Sequence, residues 1–498
     1  MSNVQFSHPE VSPLPTTESS WVHHSPSDQA QFDLNSMFHQ LCQQQRQLPY
    51  PDYAMRQHLL AQLLSTLKLN QAALCQALAQ DFAQRAIIES EILEILPCVQ
   101  SIRYYQKRLK KLMRPQHRHI SWLFWPGKNR VFFQPKGVVG IIVPWNYPVF
   151  LALGPIAAAL AAGNRIMVKL PEATPRTNQV LRHTLAAIGH DWITVVEGDA
   201  HIAADFSQLP FDHLFFTGST QIGRHVMRAA SQHLTPVTLE LGGKSPLLLA
   251  PDAELASSVS RLLFGKCMNA GQTCVAPDYV LVPHQQRQAL VAEITQQFAT
   301  FYPAGAQDKA YTHIINAAQW QRLGRYLQDA AQKGATIIST VPDWQWQAEP
   351  ATGFYMPLQL ILDAPPEAQV WHDEIFGPIL PIKSYLTLDD AIAFIQARPR
   401  PLALYLFSHD GALQQRVLQQ CHAGGVCIND TLTHVAQDDL PFGGIGPSGM
   451  GSYHGPEGFY TFSHAKAVHH KGVINGGIMA YPQWRERFFA PLLRFLLR

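Results

Sequence analysis

Between residues 131 and 231 the chain alternates two textures, and that alternation restricts its fold more than any other feature. The stretches VFFQPKGVVGIIVPW, NRIMVKLP, WITVVEGD and HLFFTGST are short, β-branched and bounded by glycine or proline, as buried strands are. Between them lie FLALGPIAAALAAG and TNQVLRHTLAAIG, whose apolar residues recur at helical spacing. Strand, helix, strand, helix implies a parallel sheet wound on both faces, because each parallel crossover must travel back along the sheet before the next strand begins. A second alternation starts near Ser245 with SPLLLAP, a helix ending at Cys267, YVLVP and helical QALVAEITQQFATF. It resumes in ATIIST, EPATGFYMPLQLIL, LDDAIAFIQ and LALYLFS. Two α/β domains, each with its own sheet, are the simplest account. A chain of 498 residues is in any case too long for a single core.

Ahead of these strands, residues from about 35 to 114 are helical in pattern, and LLAQLLSTLKLNQAALCQALAQDF repeats leucine and alanine at threes and fours. Cys42, Cys75 and Cys98 fall inside these helices and read as core. Residues 1–34 are rich in Ser, Pro and His without apolar periodicity, which predicts a mobile arm.

Several function classes are disfavoured by composition. A formal net charge of +2 gives no electrostatic footprint for nucleic acid. The seven cysteines are scattered, odd in number and without a CxxC pair, so neither a disulfide framework nor a zinc site is expected, and a reducing compartment is. No HExxH spacing accompanies the 23 histidines, and no metal is expected. The N-terminus lacks the basic and apolar regions of a signal peptide. The longest apolar run, Val149 to Ala162, is about fourteen residues, short of the roughly 20 that span a bilayer. A soluble, cytoplasmic protein is the expectation. The tail FFAPLLRFLLR could lie on a membrane surface or dock as a terminal segment or subunit contact.

Four short motifs carry the chemistry. In FFTGSTQIGR a strand ending at Phe216 leads into a turn framed by Gly218 and Gly223, and then a helix. Backbone amides at such a helix start can meet a phosphate, although a glycine turn of this kind is often only structural. In TLELGGKSP, Glu240 ends an apolar strand before Gly242 and Gly243. Burial there would raise its pKa towards a value useful to a general base; an N-cap or an ion-paired glutamate is the plainer alternative. Cys274 stands in NAGQTCVAP, a glycine-containing loop between a helix and the strand YVLV, where nucleophiles tend to sit. Cys267, in phase with Leu263 on the preceding helix, reads as packing. Asn146 lies in IIVPWNYPVF between two prolines and two aromatics. Its amide would be a good oxyanion donor, or simply a turn residue.

Taken together, PWNYP, MVKLPEATP, FTGSTQIGR, LELGGKSP, GQTCVAPDYV, EIFGPILP and LPFGGIGPSGMG occur in this order, and they resemble the aldehyde dehydrogenase superfamily over roughly residues 40 to 470. GQTCVAPDYV and GMGSYHGPEGFYTFSH look most like its class 3 and coniferyl-aldehyde branch. The resemblance implies a Rossmann-like cofactor domain over 35–117 and 137–245 and a catalytic domain over 246–445. It also implies a small β oligomerisation element at 118–136 and 457–475, serving a homodimer; the C-terminal tail over 476–498 lies outside the match. It implies that Cys274 is the nucleophile, Glu240 the general base and Asn146 the oxyanion donor. NAD, with NADP possible, would be held by Pro144, Trp145, Lys169, Glu172, Gly218, Ser219, Thr220, Gln221, Ile222, Gly223, Leu241, Gly242, Glu374 and Phe376. The implied activity is oxidation of an aldehyde to its acid through a cysteine thioester. Coniferaldehyde or another aromatic aldehyde is the expected substrate, with medium- or long-chain fatty aldehydes as the alternative. A non-catalytic interaction protein keeping this fold would have lost one of the three residues, and all three are present.

Overall fold

A computed structural model describes residues 34–350, 353–473 and 476–497. The expected arm lies outside the described residues except for Leu34, which is buried and opens a helix, Leu34–Gln47. The α/β expectation holds: two parallel-rich sheets are joined by one small antiparallel sheet.

The first sheet has six strands in the order Gly449–Met450, Val237–Glu240, His213–Thr217, Val138–Ile142, Arg165–Lys169 and Ile193–Val196. All neighbours are parallel except the first pair. Arg165–Lys169 and His213–Thr217 are buried at every residue, as strands covered on both faces must be. The helix Phe150–Ala162 packs beneath them and is buried from Leu151 to Ala162. Its ends are satisfied from a distance. The Glu94 carboxylate accepts from the Val149 and Phe150 N–H groups (2.8 and 3.0 Å), and the buried Arg56 guanidinium donates to the Ala161 and Ala162 carbonyls (3.1 and 2.8 Å). A negative group at the N-terminus and a positive one at the C-terminus complement the helix dipole.

The second sheet has seven strands, in the order Thr336–Ser339, Gln359–Leu362, Ile379–Tyr385, Tyr279–Pro283, Pro246–Leu249, Ala403–Phe407 and Gly425–Ile428. Only the first pair is antiparallel. The third sheet pairs Gln116–Arg118, Lys128–Pro135 and Ser463–His470. Its last strand starts later than 457, because Gly455–Thr461 is a helix with Pro456 in its first turn. The tail forms short helical turns with no buried residue over Arg485–Phe489 and Ala490–Leu496. Among the described residues, no helix is long and apolar enough to cross a membrane.

Candidate active site

The loop before the strand Tyr279–Pro283 is shaped by three successive left-handed residues, Asn269, Ala270 and Gly271, with φ of 51°, 50° and 72°. A Cβ at Gly271 would lie 2.6 Å from the Gly377 carbonyl oxygen, so glycine is needed there both for its φ and for the close approach. The buried Gln272 side chain donates to the Asn269 and His313 carbonyls (3.0 and 3.1 Å) and accepts from the Ile315 N–H (3.0 Å). The Thr273 and Tyr147 hydroxyls lie 2.6 Å apart. A loop fastened at so many points presents Cys274 in one orientation. Cys274 is half-buried, while Cys267, at the end of the helix Leu255–Cys267, is 1% exposed and packs in the core. All seven cysteines are free thiols.

Three adjacent parallel strands of the first sheet deliver the other groups at their carboxyl ends, where open α/β sheets place their ligands. After Val138–Ile142 comes the turn with Asn146, which is buried; its Nδ2 donates to the Gln272 carbonyl (3.1 Å), and its carbonyl accepts from Asn269 Nδ2 (3.0 Å). After His213–Thr217 comes Gly218, whose N–H bonds the Glu240 carbonyl at 3.0 Å. Glu240 ends its own strand, 3% exposed, and neither carboxylate oxygen meets a protein hydrogen-bond donor. Burial holds its pKa well above the ordinary carboxyl range. Burial also pushes the Cys274 thiol up to about 12, assisted by the carboxylates of Glu374 and Glu240. The Cys274 thiol is therefore protonated at neutral pH, and burial disfavours the charged form of Glu240.

Two cavities meet at Thr217, Glu240 and Cys274. One, of about 410 Å³, is apolar, walled by Leu93, Phe150, Leu432, Val435, Phe442 and Tyr453. Ile92, Leu96 and Phe264 also line it and are 43%, 48% and 37% exposed, so its walls extend to the surface. Gln100, Thr433 and Gln437 are among its few polar groups. The other, of about 660 Å³, is polar and begins at the N-terminus of the helix Thr220–Ser231, where the Ser219 hydroxyl accepts from the Ile222 N–H (3.3 Å).

Of the residues expected to hold a nucleotide, Pro144, Trp145, Gly218, Ser219, Thr220, Gln221, Gly242, Glu374 and Phe376 line the polar cavity. Leu241 lines the apolar one. Gly223 lies inside the helix rather than in the turn, and a Cβ there would strike Leu241 at 2.6 Å, so its role in the fold is packing. Ile222 is half-exposed and lines neither cavity, and neither do Lys169 and Glu172. Those two sit together after the strand Arg165–Lys169, with Lys169 Nζ 3.6 Å from Glu172 Oε2. The polar cavity fits a dinucleotide in its chemistry: amide donors stand at a helix start, and Glu374 Oε1 is buried without a partner. Glu374 lies against Gly242, where a Cβ would sit 1.9 Å from Oε2. Burial and the nearby Asp278 raise its pKa to about 8.

Sequence reasoning did not single out the groups that hold this wall. Arg322 donates to the Glu374 and Phe376 carbonyls (3.4 and 3.2 Å), and Asp278 accepts from the Ile375 N–H (2.9 Å) while pairing with Lys244. Lys244 stands within GGKSP, so the motif contained it. Arg322 lies on a helix, Ala317–Gln332, with nothing in its surroundings to mark it.

The comparisons with known proteins agree with this geometry. The sequence matches the aldehyde dehydrogenase family over residues 9–468. A coniferyl aldehyde dehydrogenase from Pseudomonas sp. strain HR199 is 45% identical over 401 residues, covering 80% of this chain and 82% of its own. The substrate-bound AldH of Staphylococcus aureus superposes with a TM-score of 0.87 at 35% identity, over 93% of this chain and 99% of that one. An aldehyde dehydrogenase of Mycobacterium tuberculosis complexed with NAD+ superposes with a TM-score of 0.79 at 29% identity, covering 88% and 89%. The class is thus an NAD(P)-dependent oxidoreductase acting on an aldehyde group. The chain belongs to the aldehyde dehydrogenase family.

Proposed function

We propose that this enzyme oxidises an aromatic aldehyde of the coniferaldehyde kind, with Cys274 as nucleophile, Asn146 as oxyanion donor and Glu240 as base. The observation that carries the reading is the junction: Cys274 and Glu240 line both the apolar and the polar cavity. An aldehyde has no leaving group, so its carbonyl carbon must first become tetrahedral before hydride can depart. The Cys274 sulfur adds to that carbon as its proton leaves to solvent. Gln272 takes one N–H of the Asn146 amide, and the other, with the Cys274 backbone N–H, meets the new oxyanion. When bound, the nicotinamide ring supplies the acceptor for the departing hydride. A thioester remains on Cys274. Glu240, a buried carboxylate with free oxygens, takes a proton from water, whose oxygen attacks the thioester; the acid leaves and the sulfur regains a proton.

The aromatic preference is supported by the walls. Phe150, Phe442 and Tyr453 give flat apolar contact, and Gln100, Thr433 or Gln437 could bond a phenol hydroxyl. The 45% identity to a coniferyl aldehyde dehydrogenase points the same way. Steady-state kcat/KM over coniferaldehyde, benzaldehyde and straight-chain aldehydes of graded length tests it. Coniferaldehyde should lead, and a maximum among long aliphatic aldehydes would replace this reading. We further assign the third sheet to homodimer formation, since Ser463–His470 is an edge strand with mostly exposed residues. Light scattering should give twice the chain mass; a monomer would remove the assignment.

A further inference from the structure

Three charged side chains that belong to none of the motifs are almost wholly enclosed: Arg85, Glu89 and Glu94 have side-chain exposures of 0%, 5% and 0%. Arg85 Nη1 donates to Glu94 Oε1 at 2.9 Å, and its Nε lies 3.5 Å from Glu89 Oε1. The guanidinium also lies over the Tyr147 ring, 5.1 Å from its centroid. Each carboxylate then reaches a different part of the site. Glu94 Oε2 accepts from Val149 and Phe150, at the helix start directly after Asn146 and Tyr147. Glu89 Oε1 accepts from the Asn269 N–H (3.1 Å) and the Thr312 hydroxyl (2.8 Å). Asn269 is the first left-handed residue of the loop that presents Cys274.

The circuit closes across the site. Asn269 Nδ2 bonds the Asn146 carbonyl, Asn146 Nδ2 bonds the Gln272 carbonyl, and the Tyr147 and Thr273 hydroxyls bond each other. Two carboxylates, one guanidinium and two backbone turns thus form a ring with no exposed member among the charges. A buried ion pair seldom repays its desolvation as stability alone, while a fixed relation between nucleophile and oxyanion donor matters steeply to rate. The location adds a second observation. Glu94 lies in a single π-helical turn, Glu91–Ile95, between two α-helical stretches, an irregularity that often marks functional sites.

We propose that Arg85, through Glu89 and Glu94, is a positioning residue that holds the Asn146 amide and the Cys274 loop in register for attack on the aldehyde. This rests on the roles given above to Cys274 and Asn146. The test uses the full-length protein and compares the wild type with Arg85→Met, Arg85→Lys, Thr312→Val and Cys274→Ala. Three quantities are measured: the single-turnover rate of NADH formation per titratable Cys274, the NADH dissociation constant by fluorescence, and the melting temperature. Arg85→Met should lower the per-site rate by about 10²-fold, the size expected of a misplacement near 1 Å. The NADH constant should stay within about twofold, since Arg85 bonds neither the helix start at Ser219 nor the wall held by Arg322. Arg85→Lys should recover part of the rate, and Thr312→Val should show a smaller loss in the same step. If Arg85→Met does not fold, Arg85→Lys and Thr312→Val decide the matter. A wild-type per-site rate in the folded variants, whatever their melting temperature, overturns the proposal while Cys274→Ala remains inactive. Turnover by Cys274→Ala would instead overturn the reading beneath it, and the proposal with it.

Discussion

The two cavities that share Cys274 differ in nearly every physical respect. The apolar one offers side chains and few polar atoms, and suits a substrate held by area removed from water. The polar one offers a helix start, an unpartnered carboxylate oxygen and a wall fixed by Arg322 and the Lys244–Asp278 pair, and suits a ligand held by directional bonds. The contrast bears on the role proposed for Cys274. A thiol facing only the apolar side would be as inert as Cys267, whose pKa burial also raises; facing only the polar side, it would lie open to solvent and to oxidation. At the junction it is shielded, yet both reactants can reach it.

The largest expected effect removes that junction. Cys274→Ala should abolish NADH formation, because no other thiol lines either cavity. Cys267→Ala should retain most of the activity and lose stability, by about 2 kcal/mol or less for a small side chain trimmed in the core. Steady-state assays with thermal melts would show both effects. Similar losses of activity in the two variants would erase the distinction between a shielded and an accessible thiol.

Next in size is Glu240→Gln. It should give a burst of NADH and then stall, as the thioester forms and water is not activated; rapid mixing reads the burst, and undiminished steady turnover would refute the role. The carboxyl also links activity to pH. Its raised pKa means that the base form is reached at higher pH than for an ordinary carboxyl, so the rise of wild-type kcat with pH should lie above the usual carboxyl range. Stability runs the other way. A carboxyl raised in the folded state supports the fold below its unfolded pKa and loses that support as pH rises through the folded value. The melting temperature of Glu240→Gln should therefore gain on the wild type towards alkaline pH, since the amide does not titrate.

The sequence made the alternating sheets legible because parallel strands buried on both faces leave continuous β-branched runs, as in Arg165–Lys169. It pointed to Asn146, Glu240 and Cys274 because each follows or ends such a run beside a glycine or proline. Other features had no local signature. Glu89 meets Asn269 across 180 residues, and Glu94 meets Val149 across 55, so neither pairing leaves a periodicity. The two-residue strand Gly449–Met450, which returns to Val237–Glu240, is too short to show an alternation. The left-handed Asn269 is held by hydrogen bonds formed only in the assembled fold.

The smallest expected effect lies outside both cavities and concerns cofactor choice. Glu172 follows the strand Arg165–Lys169, and its side chain is 62% exposed. We expect it to accept bonds from the adenosine ribose hydroxyls and to oppose the 2′-phosphate of NADP. At an effective dielectric of ~20, two like charges about 4 Å apart repel by roughly 4 kcal/mol. Exposure and side-chain rotation should reduce this to about 1 kcal/mol, as for other solvated charge pairs. Lys169 offsets it further: its Nζ is 3.6 Å from Glu172 Oε2, although burial lowers its pKa. Arg176 offers less, because it lies 3.8 Å from Asp81. The outcome should be a preference for NAD by about fivefold rather than exclusion of NADP. Glu172→Gln should narrow that gap by improving kcat/KM with NADP more than with NAD. A wild type that favours NADP, or a Gln variant whose ratio is unchanged, would show that Glu172 does not face the ribose.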